Sequence, residues 1–247
     1  MRTAIALLGA CLLAGPARAA DAPETPPVDV ALVLVDDVSR SIDDAEFRLQ
    51  KQGYLYAFTN PAVIAAIHGG QNGAIAVAYV EFASVGETRV VIDWTVIRDA
   101  ASAKAFADRL NAEPRSFWGR TAIGEGITAG IHALASSGYK ATRQVIDVCG
   151  DGTNNAGRDV DAARDEAVAA GITVNGLAII NDHPVAWAYA HVQPPGGLGK
   201  YYRENVTGGP GSFVAEIHDF HAFGNAITRK LVDEIARIGD RGGAPRG

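Results

Sequence analysis

The chain has 247 residues, of which 48% are hydrophobic and 20% are charged, with 28 glycines and 11 prolines. This composition is typical of a folded protein and excludes a disordered one. The formal net charge of −6 argues against nucleic acid or an anionic membrane surface as the main partner. At this length a single compact domain is the simplest expectation.

The first residues have the pattern of an export signal. They begin with the basic Arg2, continue with an apolar stretch over residues 4–15, and end in a run of small residues that is typical of signal peptidase cleavage. We predict cleavage after Ala19, a signal peptide at 1–19, and a periplasmic or secreted protein. A membrane-spanning helix would need about 20 apolar residues, more than this stretch offers. Lipoprotein processing at Cys11 is the second alternative.

The predicted boundaries leave one domain between two short polar segments. Residues 20–28 are rich in proline and are interpreted as a linker, the domain is expected at 29–240, and residues 241–247 are expected to form a disordered tail. With Cys11 removed, Cys149 is the one remaining thiol and has no disulfide partner within the chain. Because Cys149 ends an apolar run, we expect it to be buried and unreactive.

Apolar, β-rich segments alternate with helical patterns along this domain. The predicted strands cover residues 29–35, 74–82, 88–94, 144–149, 172–180 and 213–217. The predicted helices cover residues 43–60, 99–111, 121–138, 160–171 and 219–238. The glycines of "GEGITAG" at 124–130 are interpreted as positions of close helix packing.

This order predicts an α/β fold, a doubly wound and mostly parallel Rossmann-like sheet with helices on both faces. Several strands are apolar without alternation, as expected when both faces of a parallel sheet are covered. The hairpin-like pair at 74–94 predicts one antiparallel edge strand. Segment 181–211 is too long for a simple connection, so it is either functional or partly helical packing.

Carboxylate and hydroxyl side chains follow three of these strands and loops. Asp37, Ser39 and Ser41 follow the first strand, Thr121 begins a helix, and Asp151 comes just beyond a strand. In an open parallel sheet, ligands bind beyond the carboxyl ends of the strands. Alone, each residue would be read as a helix cap or a turn, but together they form a set of oxygen ligands that suits Mg²⁺.

The spacing Asp37-x-Ser39-x-Ser41, followed by Thr121 and by Asp151-Gly152, resembles the metal-ion-dependent adhesion site (MIDAS) of von Willebrand factor A domains. The resemblance covers about Asp29 to Ile238. It is nearest to a group of exported bacterial proteins with this domain, through "VIDVCGDGTNN", "GITVNGLAI" and "FGNAITRKLVDEI".

The resemblance implies a role for each of the five residues. Ser39, Ser41 and Thr121 would bind the cation, and Asp37 and Asp151 would hold coordinated waters or enter the coordination shell. One coordination position would remain for an Asp or Glu of a protein partner. The cation expected is Mg²⁺, with Mn²⁺ and Ca²⁺ as alternatives.

Three further residues are candidates for contacting that partner. Arg40 stands between the two serines, where it would either repel the cation or bind the carboxylate of the partner. Trp118 precedes Thr121 by three residues, and Trp187 belongs to segment 181–211. Aromatic residues are enriched at protein interfaces, although the aromatics of that segment would equally suit a local core.

The function expected from the sequence is metal-dependent binding of a protein partner without catalysis, nucleic acid binding or stable membrane insertion. A metal-dependent hydrolase that activates water with the same cation is one alternative, and a structural domain that has lost metal binding is another. A phosphoryl-accepting receiver domain is a poor match, because it acts in the cytoplasm and the chain begins with an export signal.

Overall fold

The structure, a computed structural model, describes residues 25–180, 194–218 and 222–236. The predicted signal peptide, residues 20–24 of the linker, the predicted tail and Trp187 lie outside the described residues. Within the described ranges, no helix is both long and apolar enough to cross a bilayer.

Six strands form one sheet. They are β1 (Val28–Asp37), β2 (Ile75–Phe82), β3 (Thr88–Ile97), β4 (Ala141–Gly150), β5 (Thr173–Ile179) and β6 (Val214–Ile217). Their order across the sheet is β3-β2-β1-β4-β5-β6. Only β3 is antiparallel to its neighbour, and it occupies an edge, while the other pairings are parallel. The predicted fold class and the predicted edge strand are confirmed.

Helices connect the strands and cover both faces of the sheet. They are α1 (Asp44–Phe58), α2 (Pro61–His68), α3 (Ala100–Ala112), α4 (Ile123–Ala135), α5 (Val160–Ala169), α6 (Leu198–Tyr201) and α7 (Phe223–Ala236). A π-helical turn, Tyr202–Val206, continues α6. Helix α2 is absent from the prediction, although Asn60 caps it and Pro61 occupies its first turn, a recognised helix start.

Alternating residues of the buried strand β1 face two separate cores. Val30, Leu32 and Leu34 belong to the core beneath α1, α2, α3 and α7. Ala31 and Val33, with Val35, belong to the core beneath α4, α5 and α6. Burial on both faces explains why the sequence of β1 is apolar without a period of two.

The glycines of α4 let this helix lie close to the sheet, as predicted. A methyl group on Gly126 would lie 2.8 Å from the Phe82 ring, and one on Gly130 would lie 3.0 Å from the Ile146 side chain. Because α4 approaches so closely, its N-terminal end lies near the carboxyl ends of β1 and β2. There the Ala122 backbone N–H, just before α4, donates a hydrogen bond to Ala83 O.

The chain reverses direction across the sheet between β1 and β4. From β1 it winds outward through β2 to β3, and after β4 it winds to the opposite edge through β5 to β6. In doubly wound sheets the crevice at this switch point is the usual place for a ligand. The ends of β1 and β4, which carry Asp37 and precede Asp151, both border it.

Candidate metal centre

The five predicted site residues come together at this crevice. Asp37 is the last residue of β1, and Ser39 and Ser41 lie in the loop that follows. Thr121 lies two residues before α4, and Asp151 immediately follows β4. The parallel register of β1 and β4 sets Asp36 opposite Cys149, which brings the two acidic strand ends side by side.

A continuous series of hydrogen bonds joins these residues. The Ser39 backbone N–H donates to Asp37 Oδ1 at 2.7 Å. Ser39 Oγ lies 3.0 Å from Thr121 Oγ1 and 3.1 Å from Ser41 Oγ. Ser41 Oγ donates to Asp151 Oδ1 at 2.8 Å. Three loops that are distant in sequence therefore place two carboxylates and three hydroxyls in mutual contact.

Asp37 is the electrostatically distinctive member of the set. It is fully buried, and its Oδ2 has no hydrogen-bond partner among the described residues. Burial, followed by the nearby charge of Asp151, raises the pKa of Asp37 to about 8. The site therefore disfavours a second negative charge until a positive charge enters it.

These features fit a divalent cation. A cation would relieve the repulsion between the two carboxylates and would give the unpartnered Asp37 Oδ2 a favourable charge to face. The donors are hydroxyl and carboxylate oxygens, which hard cations prefer. Across the described ranges, no group of three or more His, Cys, Asp or Glu side chains is placed to hold a metal.

Arg115 fixes the shape of the serine loop and was not predicted from the sequence. Its guanidinium donates to the backbone carbonyls of Val38, at 2.6 Å from Nη2, of Ser39 and of Ile42, at 2.7 Å from Nη1. It also donates to Phe117 O at 2.9 Å. One side chain therefore links the carbonyls of the serine loop to the loop that leads to Thr121.

A buried ion pair between Lys51 and Glu81 anchors the loop around Arg115. Lys51 Nζ lies 2.9 Å from Glu81 Oε1, and both side chains are buried. The other oxygen of Glu81 accepts from the Ser116 backbone N–H at 2.8 Å. The pair thus connects α1 and β2 to the segment between α3 and α4.

Two asparagines after Asp151 hold Thr121 in place. Asn155 Oδ1 accepts from the Thr121 backbone N–H at 3.1 Å, and the Asn155 backbone N–H donates to Thr121 O at 2.9 Å. Asn154 Oδ1 accepts from the Gly124 N–H at 3.2 Å, in the first turn of α4. These contacts give the second half of "GDGTNN" a structural role that its spacing alone did not reveal.

Tyr202, at the start of the π-helical turn, places its side chain next to the candidate metal centre. It is fully buried, and its hydroxyl has no hydrogen-bond partner among the described residues. Two glycines make room for it: a methyl group on Gly150 would lie 2.7 Å from the hydroxyl, and one on Gly176 would lie 2.8 Å from the ring. Burial, followed by the charge of Asp37, raises the pKa of Tyr202, so the hydroxyl keeps its proton and can donate.

The three candidate partner-binding residues have different outcomes. Arg40 is exposed, and its backbone N–H donates to Gly119 O at 3.1 Å, which joins the serine loop to the loop before Thr121. Trp118 is 56% exposed, and its ring lies 3.9 Å from the Arg115 guanidinium carbon. Both therefore border the site, whereas Trp187 lies outside the described residues.

Cys149 is buried, as predicted, and burial raises its pKa well above the usual value for a thiol.

Solved structures with the same architecture are von Willebrand factor A domains. Proximal thread matrix protein 1 from the mussel byssus, solved with a zinc-occupied MIDAS motif, has a TM-score of 0.59 and 15% identity over 85% of this chain and 48% of its own. A von Willebrand factor type A protein from Catenulispora acidiphila has a TM-score of 0.56 and 15% identity over 86% of this chain and 43% of its own. The pilus adhesin SpaC from Lactobacillus rhamnosus GG has a TM-score of 0.53 and 16% identity over 87% of this chain and 31% of its own.

The chain spans less than half the length of each of these three proteins, and at this identity the similarity shows the fold. The sheet order, the antiparallel edge and these similarities show that the chain has the fold of von Willebrand factor A domains.

The family model for a protein of unknown function, DUF1194, matches residues 27–239, and the chain belongs to that family. No protein of curated function matches the sequence.

Proposed function

We propose that the chain is a metal-dependent protein-binding module of the adhesion type, in which a divalent cation bridges this site to an Asp or Glu of a partner. The observation that carries the proposal is the hydrogen-bonded set of Asp37, Ser39, Ser41, Thr121 and Asp151 at the switch point, with its unpartnered Asp37 Oδ2. Its support from comparison is that one protein of the same fold was solved with zinc in a MIDAS motif and another is an adhesin.

Each site residue would act through its position. Ser39, Ser41 and Thr121 would supply hydroxyl oxygens, and the two aspartates would supply the negative charge, directly or through coordinated water. A bound cation would act as a Lewis acid and would accept one more anionic oxygen as a ligand. We favour Mg²⁺, because the donor set is all oxygen and low in charge, with Mn²⁺ and Ca²⁺ as alternatives.

Binding without catalysis is favoured by the composition of the three site loops. Residues 36–43, 113–122 and 150–159 contain no histidine, which is the commonest general base. A turnover screen against activated esters and phosphoesters, with Asp151→Ala as the control, tests the hydrolase alternative.

Cation binding is tested by the melting temperature of the full chain. After treatment with a chelator, we expect Mg²⁺ or Mn²⁺ to raise the melting temperature, because a ligand at 100 times its dissociation constant stabilises the folded state by about 2.7 kcal/mol. Ser39→Ala and Asp151→Ala should abolish this rise. Asp108→Ala, which removes an exposed carboxylate paired with Lys104 on α3, should retain it. A rise that persists in Ser39→Ala and Asp151→Ala would place the bound cation elsewhere.

Partner chemistry is tested with a display library of peptides that contain Asp or Glu, selected in Mg²⁺ and again in chelator. We expect retained peptides to lose binding when their acidic residue is replaced by alanine or when the cation is removed. Trp118→Ala and Arg40→Ala should weaken binding of the retained peptides, because both residues border the site and neither is a proposed ligand. If the peptides are retained equally in Mg²⁺ and in chelator, the bridging role of the cation is contradicted.

A further inference from the structure

Two buried polar atoms lie against one glycine beneath the candidate metal centre. Asp37 Oδ2 and the Tyr202 hydroxyl are both buried and have no hydrogen-bond partner among the described residues. Both lie next to the α-carbon of Gly150: a methyl group there would be 2.7 Å from the Tyr202 hydroxyl and 3.2 Å from Asp37 Oδ2. A buried hydroxyl or carboxylate oxygen that lacks a hydrogen-bond partner destabilises the folded chain, so both atoms are expected to find a partner in the functional state.

The surroundings of Tyr202 hold its hydroxyl at this place. The ring lies against Gly176 of β5, where a side chain would collide with it, and the residue begins a π-helical turn in which the Thr207 N–H donates to Tyr202 O at 2.9 Å. Single π-helical turns often occur at functional sites. The backbone, the ring and the glycine of the neighbouring strand thus hold the hydroxyl in place next to Gly150.

We propose that Tyr202 is a positioning residue of this metal centre, whose hydroxyl donates to Asp37 Oδ2, directly or through one water, when a divalent cation is bound. This inference depends on the proposed function, because it assigns Tyr202 a role toward the same cation. In the cation-bound state the donor stabilises the charged carboxylate and fixes its orientation, as outer hydrogen bonds do for metal ligands in general. Among the described residues the hydroxyl has no other hydrogen-bond partner.

If Tyr202 has this role, Tyr202→Phe should weaken cation binding without lowering the melting temperature in chelator. Tyr202→Phe keeps the ring and removes the oxygen, so the melting temperature in chelator should equal or exceed that of the parent, since removal of an unpaired buried polar group is neutral or stabilising. The dissociation constant for Mn²⁺, measured by titration calorimetry on the full chain, should rise about tenfold or more.

Tyr54→Phe is the matched control. The Tyr54 hydroxyl is also buried, but it donates to Asp36 Oδ1 at 2.6 Å on the opposite face of the sheet. Its loss should lower the melting temperature in chelator and leave the Mn²⁺ dissociation constant unchanged. The two tyrosines therefore separate a role toward the cation from a role in folding.

A second measurement tests the proximity itself without any cation. Gly150→Ala should lower the melting temperature, because its methyl group would collide with the Tyr202 hydroxyl, and it should do so less in a Tyr202→Phe background. Gly69→Ala, whose methyl group would make ordinary contacts at 3.4 Å, should have no such cost in either background. An equal cost of Gly150→Ala in both backgrounds would overturn the proposed contact.

The two proposals fail in distinguishable ways. If the parent binds Mn²⁺ and Tyr202→Phe binds it with the same dissociation constant, the role of Tyr202 is overturned and the metal-dependent function stands. If the parent binds neither Mn²⁺ nor Mg²⁺, the proposed function is overturned, and the role of Tyr202 is overturned with it.

Discussion

Single residues at this site act mainly by fixing backbone positions. The proximity of the three hydroxyls and two carboxylates was predictable, because Asp37, Ser39 and Ser41 alternate from the end of β1, Thr121 precedes α4, and Asp151 follows β4. Arg115 was not predictable, since nothing in its neighbourhood shows that it donates to carbonyls more than 70 positions earlier. Every residue has a backbone carbonyl, so the identity of the accepting residue does not indicate such a contact. A single sequence therefore contains no signal for it.

Arg115→Lys is expected to destabilise the cation-free protein by at least about 2 kcal/mol. A lysine presents one ammonium group and lacks the planar fork that reaches several carbonyls at once, so buried acceptors would lose their partners. The free energy of unfolding from urea titration in chelator measures the loss. Arg109→Lys, an exposed change on α3, should leave the value unchanged, and equal stability of the two variants would contradict the role given to Arg115.

At the scale of elements, the helix α7 shows what periodicity can and cannot predict. Phe223, Ile227, Leu231 and Ile235 recur at helical spacing in the predicted helix 219–238, and these side chains are buried in the core. The same face also buries Lys230 and Glu234, which pattern reading assigns to solvent. Their burial depends on β4 and β5, which are remote in sequence and supply the polar partners.

A buried network of charges holds α7 against the sheet. Lys230 Nζ lies 2.5 Å from Asp147 on β4 and 2.5 Å from Glu234 Oε1. Glu234 Oε1 also accepts from Asn175 Nδ2 on β5 at 2.9 Å. Burial first, then the charge of Asp147, raises the pKa of Glu234 to about 7, because two carboxylates share one ammonium group.

This pKa predicts that α7 is held more tightly in acid than in base. A carboxyl group with a pKa higher in the folded chain than in the unfolded chain binds more protons when folded, so its contribution to stability is complete below about 4.5 and is lost as pH rises through about 7. Glu234→Gln keeps an acceptor oxygen and carries no charge. Between pH 5 and pH 8 it should lose less stability than the parent, by on the order of 2 kcal/mol.

The measurement is the free energy of unfolding at several pH values in chelator. Asp233→Asn, at the neighbouring exposed position of α7, is the matched control and should follow the parent curve. A Glu234→Gln curve parallel to that of the parent would show that Glu234 does not take up a proton in this range.

At the scale of the whole molecule, sequence order was a good guide to architecture. Alternating strands and helices predicted the doubly wound sheet, and the hairpin at 74–94 predicted the antiparallel β3. Helix α2 was missed because the preceding pattern, 43–60, was read as a single helix, although Asn60-Pro61 gave a new start. The switch point between β1 and β4 then explains why residues from three loops form one site. Tyr202 lies next to that site, which only the packing of its side chain on Gly150 and Gly176 reveals.

The central claim is that a divalent cation binds among the oxygens of Ser39, Ser41 and Thr121. The most direct measurement is anomalous diffraction at the manganese absorption edge from crystals of the protein grown with Mn²⁺, with Asp151→Ala crystals as the control. We expect one strong peak enclosed by those three hydroxyls in the parent and a weaker or absent peak in Asp151→Ala. A parent crystal with saturating Mn²⁺ and no peak at this position would contradict it.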